Sequence, residues 1–175
     1  MKLIAPMVLA AALAGGGCAT TAEPAPLPAI ADAVSPVPGV VSAGRLQPDD
    51  IARVREAGVR HVIDLTPDVE TPDFDEAAAV RAAGLAYSNL PLRGAVDLTR
   101  ENVIAFDALV RTAKRPVLVH CASGNRVGAM AALRAAWVEG KPADEAIEIG
   151  KAWGLKGLEA EVQRRIESGT PQSGT

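Results

Sequence analysis

Aromatic side chains make up only 3% of this 175-residue chain, so its core must be built from Ala, Val, Leu and Ile. Cysteine is scarcer: Cys18 and Cys121 alone, too few for a disulfide framework. Two histidines and no paired-cysteine spacing argue against a structural zinc site, and the sequence predicts neither a metal nor an organic cofactor. The net charge is −3 and basic residues do not cluster, which argues against a nucleic-acid partner. The apolar run at residues 3–14 is too short for a permanent membrane-spanning helix. What remains is 49% hydrophobic residues, enough for one compact domain with extensions.

The first of these extensions is N-terminal. Lys2 precedes the apolar run, and Gly15-Gly16-Gly17-Cys18 follows it, so residues 1–17 read as a signal peptide of the lipoprotein type. Cys18 would then be the first mature residue and carry lipid, anchoring the protein to a membrane. Cleavage after Ala14 or Ala22 is the alternative, and both place the protein in a bacterial cell envelope, in the periplasm. Residues 18–38 are rich in Ala and Pro and read as an extended tether. Residues 168–175 read as a disordered tail. The folded domain is expected at residues 39–167.

Within that span, β-branched runs alternate with helical patterns. Strands are expected at residues 40–43, 61–65, 85–90 and 116–120. Helices are expected from Pro48 to Gly58, from Phe74 to Gly84, after the Thr99 cap, from Val127 to Glu139, and over residues 142–152 and 158–166. This alternation predicts an α/β fold of three layers, with a mostly parallel central sheet flanked by helices. Ligands of such sheets bind at the carboxyl ends of the strands. Loops 66–72 and 91–98 and the loop after Cys121 all lie there.

The most informative stretch is His120-Cys121-Ala122-Ser123-Gly124-Asn125-Arg126-Val127-Gly128. A strand delivers a thiol to a tight glycine-containing loop, and a helix follows. Backbone N–H groups of such a loop make an anion cradle. The helix dipole and the guanidinium favour the thiolate, which is the attacking form of cysteine. This is equipment for attacking phosphorus or carrying sulfur.

These residues resemble the cysteine-dependent phosphatase superfamily of dual-specificity and tyrosine phosphatases. More closely, they resemble its bacterial branch of beta-lactamase-hydrolase-like, phosphatase-like domains. The resemblance rests on His120 to Ala129, on Val62-Ile63-Asp64-Leu65-Thr66-Pro67-Asp68-Val69-Glu70, on Leu90-Pro91-Leu92 and on the Gly44 to Asp50 entry. It implies a dual-specificity-phosphatase-like fold, Cys121 as nucleophile, Arg126 as oxyanion binder, and loop residues Ala122, Ser123, Gly124, Asn125 and Val127 around the substrate. A phosphorylated small molecule or phosphoprotein is the implied partner. One departure stands out. Four residues separate Cys121 from Arg126, where tyrosine phosphatases have five, so Val127 takes the usual arginine position. Four is also the spacing of rhodanese-type sulfurtransferases. A Cys121 persulfide enzyme and an oxyanion-binding pseudophosphatase therefore stay open beside the phosphatase.

A phosphatase also needs a proton donor for the leaving oxygen. Arg93 and Gly94 stand where family patterns place an aspartate, so Asp97 is the first candidate and Asp68 the second. His120 is expected to support the loop. His61 is expected to be structural, and Ser123 and Asn125 to shape the loop.

Overall fold

The computed structural model describes residues 27–169. The expected signal peptide, its cleavage site, Cys18 and most of the tail lie outside them. Strand β1 (Val34–Val37) pairs antiparallel with β2 (Val40–Ala43). Strands β3 (His61–Asp64), β4 (Ala86–Asn89) and β5 (Val117–His120) complete a sheet of order β1-β2-β5-β3-β4. All pairs other than β1–β2 are parallel. The strand at residues 34–37 falls inside the stretch expected to be tether, and Ile30 is buried in the core. The domain therefore starts earlier than residue 39. Helix α6 (Glu159–Gly169) likewise runs past the expected end at 167.

Successive side chains of a strand point to opposite faces of the sheet, and this alternation sorts the core into two halves. Ile63, Val117 and Val119 face helices α3 (Arg100–Thr112), α4 (Asn125–Trp137), α5 (Ala143–Ala152) and α6. Val62 and Leu118 face helices α1 (Asp50–Glu56) and α2 (Glu76–Ala82). The result is the expected three layers. Strand β5 lies between two parallel partners and is buried along its whole length, as an unbroken apolar run requires.

Helix α4 explains the alanine-rich, aromatic-poor composition. It is sandwiched among α3, α5 and α6, and nine of its residues are buried. A Cβ on Gly128 would sit 2.0 Å from the backbone nitrogen of Leu155, so only glycine permits the turn after α5 to press against α4. The few rings that exist are used in the core: Phe106 meets Trp153 edge to face at 6.4 Å.

The register then builds the site. Ala43, His120, Asp64 and Asn89 are neighbours across β2, β5, β3 and β4. They form one row at the carboxyl edge of the sheet, and Cys121 follows directly.

Candidate active site

Cys121 packs into the α4-side core and is 1% exposed. His120, one residue earlier, lies on the opposite face and meets the start of α2. This opposition follows from strand alternation, and it gives Cys121 and His120 different surroundings.

On the α4 side, the loop is held by backbone. Gly44 bridges Ser123, and Arg45 N–H donates to the Ala122 carbonyl at 3.3 Å. Gly124 takes φ +76°, a left-handed turn suited to glycine, and α4 begins there with no side chain capping its first turn. Its first-turn N–H groups and dipole leave positive potential beside Cys121. Asn125 shapes the loop, accepting N–H bonds from Lys156 and Leu158 at 2.8 and 3.4 Å. The Lys156 ammonium reaches the Ser123 carbonyl at 3.3 Å. Val127 does not line the site with its side chain. It is fully buried in the core, because α4 turns it inward, so it can offer only its backbone.

Arg126 is buried and strongly committed. Its Nη1 and Nη2 donate to the two Glu70 oxygens at 2.8 and 2.7 Å, and Nη1 also donates to the Leu92 carbonyl. A guanidinium has five N–H groups. These contacts leave Nε–H and the second Nη2–H on one edge, a bidentate edge for an oxyanion. Burial works against the charge of Arg126. The Glu70 carboxylate and the Cys121 thiol group nonetheless hold its pKa above the ordinary value. Arg45 grips Glu70 in turn, donating to its carbonyl and lying 3.7 Å from its carboxylate. Glu70 and Arg45 were not among the expected site residues. Both fall in stretches carrying the family resemblance, but nothing in the local spacing joins Arg45 to Glu70, 25 positions on, or Glu70 to Arg126, 56 positions on.

The α2 side is different. His120 Nε2 bonds Glu76 Oε1 at 2.7 Å and lies 3.4 Å from Asp64 Oδ1. Asp64 accepts from Thr66 N–H at 2.7 Å and Tyr87 O–H at 2.9 Å. His120, Glu76 and Asp64 are all buried. Burial pushes the Tyr87 phenol up, and the carboxylates of Asp64, Glu76 and Asp68 push it further. Asp68 belongs to this side: it lines a pocket with Asp64, Glu76 and Tyr87.

Asp97 does not fit the role of proton donor. Its carboxylate accepts from the Arg93 backbone and guanidinium at 2.7 to 3.0 Å. These bonds lower its pKa to about 2, so it holds no proton at neutral pH. The arginine standing in the expected acid position is the physical reason. His61 is structural, as expected: its ring meets Ser88 at 2.9 Å.

Comparison with known proteins agrees with this geometry. A family model described as "Beta-lactamase hydrolase-like protein, phosphatase-like domain" matches residues 34–138. A beta-lactamase hydrolase-like protein of Xylella fastidiosa is 35% identical over 117 residues, which cover 64% of this chain and 27% of that protein. The chain thus spans about a quarter of the length of the curated relatives it matches. A solved Neisseria meningitidis protein, described as a phosphatase candidate, superposes with a TM-score of 0.66 at 26% identity, over 77% of this chain and 96% of that one. Pseudomonas aeruginosa TpbA, solved with phosphotyrosine, shares the fold: TM-score 0.59, 22% identity, 79% of this chain and 89% of that one.

Proposed function

Since the chain belongs to the family of phosphatase-like domains of beta-lactamase hydrolase-like proteins, we propose that it hydrolyses phosphoesters through a covalent phosphocysteine. The observation that carries this reading is the pairing of Cys121 with an Arg126 whose free edge is set by Glu70. The Cys121 thiolate attacks phosphorus and forms the S–P bond, and the P–O ester bond breaks. The uncapped N–H groups at the start of α4 and the Arg126 edge stabilise the oxygens as charge shifts among them. Water then attacks phosphorus, the S–P bond breaks, phosphate leaves and the thiolate returns. With Asp97 ionised, the leaving oxygen departs without its proton, so aryl esters, which leave as stable phenolates, are the favoured class. The substrate would be a phosphorylated small molecule or a phosphoprotein met in the cell envelope, with Cys18 as lipid anchor.

Sulfur transfer is the second reading, favoured by the four-residue loop and by the ionised Asp97. Here the Cys121 thiolate attacks the outer sulfur of thiosulfate and sulfite leaves. Cyanide then takes that sulfur as thiocyanate, restoring the thiolate. No leaving oxygen needs a proton. The purified protein, offered p-nitrophenyl phosphate in one assay and thiosulfate with cyanide in another, separates the two. Release of phosphate with little thiocyanate is expected. Thiocyanate with a persulfide on Cys121 by mass spectrometry, and no phosphate release, would replace the first reading with the second. Phosphate binding with neither product would make the chain an oxyanion-binding pseudophosphatase.

A further inference from the structure

We propose that Asp64, Glu76 and His120 form a binding site for one first-row divalent cation, zinc by preference, on the face of the sheet opposite Cys121. The first ground is the spacing of the donor atoms. His120 Nε2 lies 2.7 Å from Glu76 Oε1 and 3.4 Å from Asp64 Oδ1, and the three ligand atoms lie within 4.8 Å of one another. Zinc holds nitrogen and carboxylate oxygen at about 2.0–2.2 Å, which sets neighbouring ligand atoms roughly 3 Å apart. Both separations from His120 stand near the edge length of such a polyhedron.

The second ground is the pocket that Asp64 and Glu76 line, with His120 packed behind them. It has a volume of about 340 Å³ and is lined by four carboxylates, Asp64, Asp68, Asp75 and Glu76, and by the Tyr87 phenol, with no lysine or arginine in its lining. Asp75 is already used, capping α2 through Ala78 N–H. Two of the carboxylates, Asp64 and Glu76, are buried against a single imidazole. A buried charge needs a partner, and one imidazolium can balance only one of them. A divalent cation balances both, and the pocket supplies room for water at its remaining positions.

The third ground is rigidity. Asp64 ends β3, His120 ends β5 and Glu76 opens α2. The Asp64 carboxylate is further oriented by Thr66 N–H and Tyr87 O–H, as outer-shell bonds orient metal ligands. When His120 Nε2 takes the cation, its proton passes to Nδ1, whose lack of a hydrogen-bond partner lowers the affinity of the site. A mixed nitrogen and oxygen set suits zinc above manganese, and both above magnesium.

The test uses the full chain with Cys18→Ser and Cys121→Ser, so that no thiol competes. After chelator treatment, ZnCl2 is titrated by calorimetry and melting is followed with and without zinc. One equivalent of zinc and a raised melting temperature are expected, with MnCl2 binding more weakly. Asp64→Asn and Glu76→Gln, which keep the side-chain shape, should each weaken zinc at least tenfold, within the 10–100-fold scale of shell mutations. If either variant fails to fold, X-ray absorption of the zinc-loaded parent decides: one nitrogen and two carboxylate oxygens from the protein support the site. Absence of zinc binding by the folded parent overturns it, as does equal affinity in folded variants or a different ligand set. Activity enters none of these readouts, so the site stands or falls apart from the phosphatase reading.

Discussion

Cys121 and His120 are adjacent in sequence and equally buried, yet the charged groups around them are opposite in sign. On the α4 side, Arg126, Arg45 and the start of α4 present positive potential, balanced only by the half-buried Glu70. On the α2 side, Asp64, Glu76 and Asp68 surround one imidazole and one phenol. The pleat of β5 makes this division, because consecutive residues of a strand must face opposite ways. The lesson is that a single strand end can serve an anion on one face and a cation on the other, with the sheet between them.

The most severe way to break the comparison is to remove the proposed nucleophile. Cys121→Ser is expected to lower phosphate release at least ~10³-fold, since loss of a covalent nucleophile has cost more than that elsewhere. Its melting temperature should stay close to that of the parent, because the two side chains have similar size. Steady-state rates and a thermal melt check both parts.

The α4 side should then respond in chemistry. Arg126→Ala is expected to lower kcat/KM about 10²–10³-fold, the scale for one oxyanion-stabilising donor. Glu70→Gln keeps the shape but gives up the ion pair, so the guanidinium loses its fixed edge. A loss of about tenfold is expected, equivalent to ~1.4 kcal/mol of transition-state stabilisation. Equal rates for Glu70→Gln and the parent would show that Arg126 needs no such support.

The α2 side should respond in stability. Glu76→Ala removes the shorter bond of the His120 imidazole, which keeps Asp64 at 3.4 Å, and losing a buried hydrogen bond to a charged group costs ~1.5–3 kcal/mol. The lower end is expected here, because the pocket admits water beside Glu76. Urea unfolding of parent and variant measures it. A smaller cost for Glu76→Ala than for Glu70→Ala would reverse the assignment of the two sides.

Much of this arrangement was legible in the sequence, and what was not has a physical reason. Strands β2 to β5 announced themselves as β-branched runs, and Thr99 as a cap, confirmed by its bond to Asn102 N–H at 3.2 Å. Strand β1 was hidden by Pro36 and by its half-exposed valines. It is an edge strand, the place where proline is tolerated in a sheet. The thiol, the glycine turn and the arginine were readable because they are contiguous. Glu70 with Arg126, and Glu76 with His120, were not, because they meet only through tertiary packing across 56 and 44 residues. The expectation of no metal site rested on local spacing, and the proposed cation site joins Asp64, Glu76 and His120, which have no such spacing to read.

The smallest effect is expected where sequence reasoning placed a catalytic acid. Asp97 sits on the surface in a bidentate ion pair with Arg93, and its carboxyl is held at about 2. A folded-state value below the ordinary one adds stability above the unfolded value, and that stability fades as pH falls toward about 2. Between pH 5 and 8 the group is therefore ionised throughout, and it can neither donate a proton nor shape a pH profile. Asp97→Asn should change the hydrolysis of p-nitrophenyl phosphate less than about twofold, far below the 10²–10⁴-fold typical of a general acid. Alkyl phosphates sharpen the test, because they need the proton most. If Asp97→Asn slowed an alkyl ester strongly while sparing the aryl one, Asp97 would have to leave Arg93 and take up a proton during turnover. The ion pair would then be a resting state rather than the working one. Equal, small effects on both esters would mean that this loop does its work through the Leu92 carbonyl that holds Arg126, and that leaving-group basicity alone sets which esters the protein can cleave.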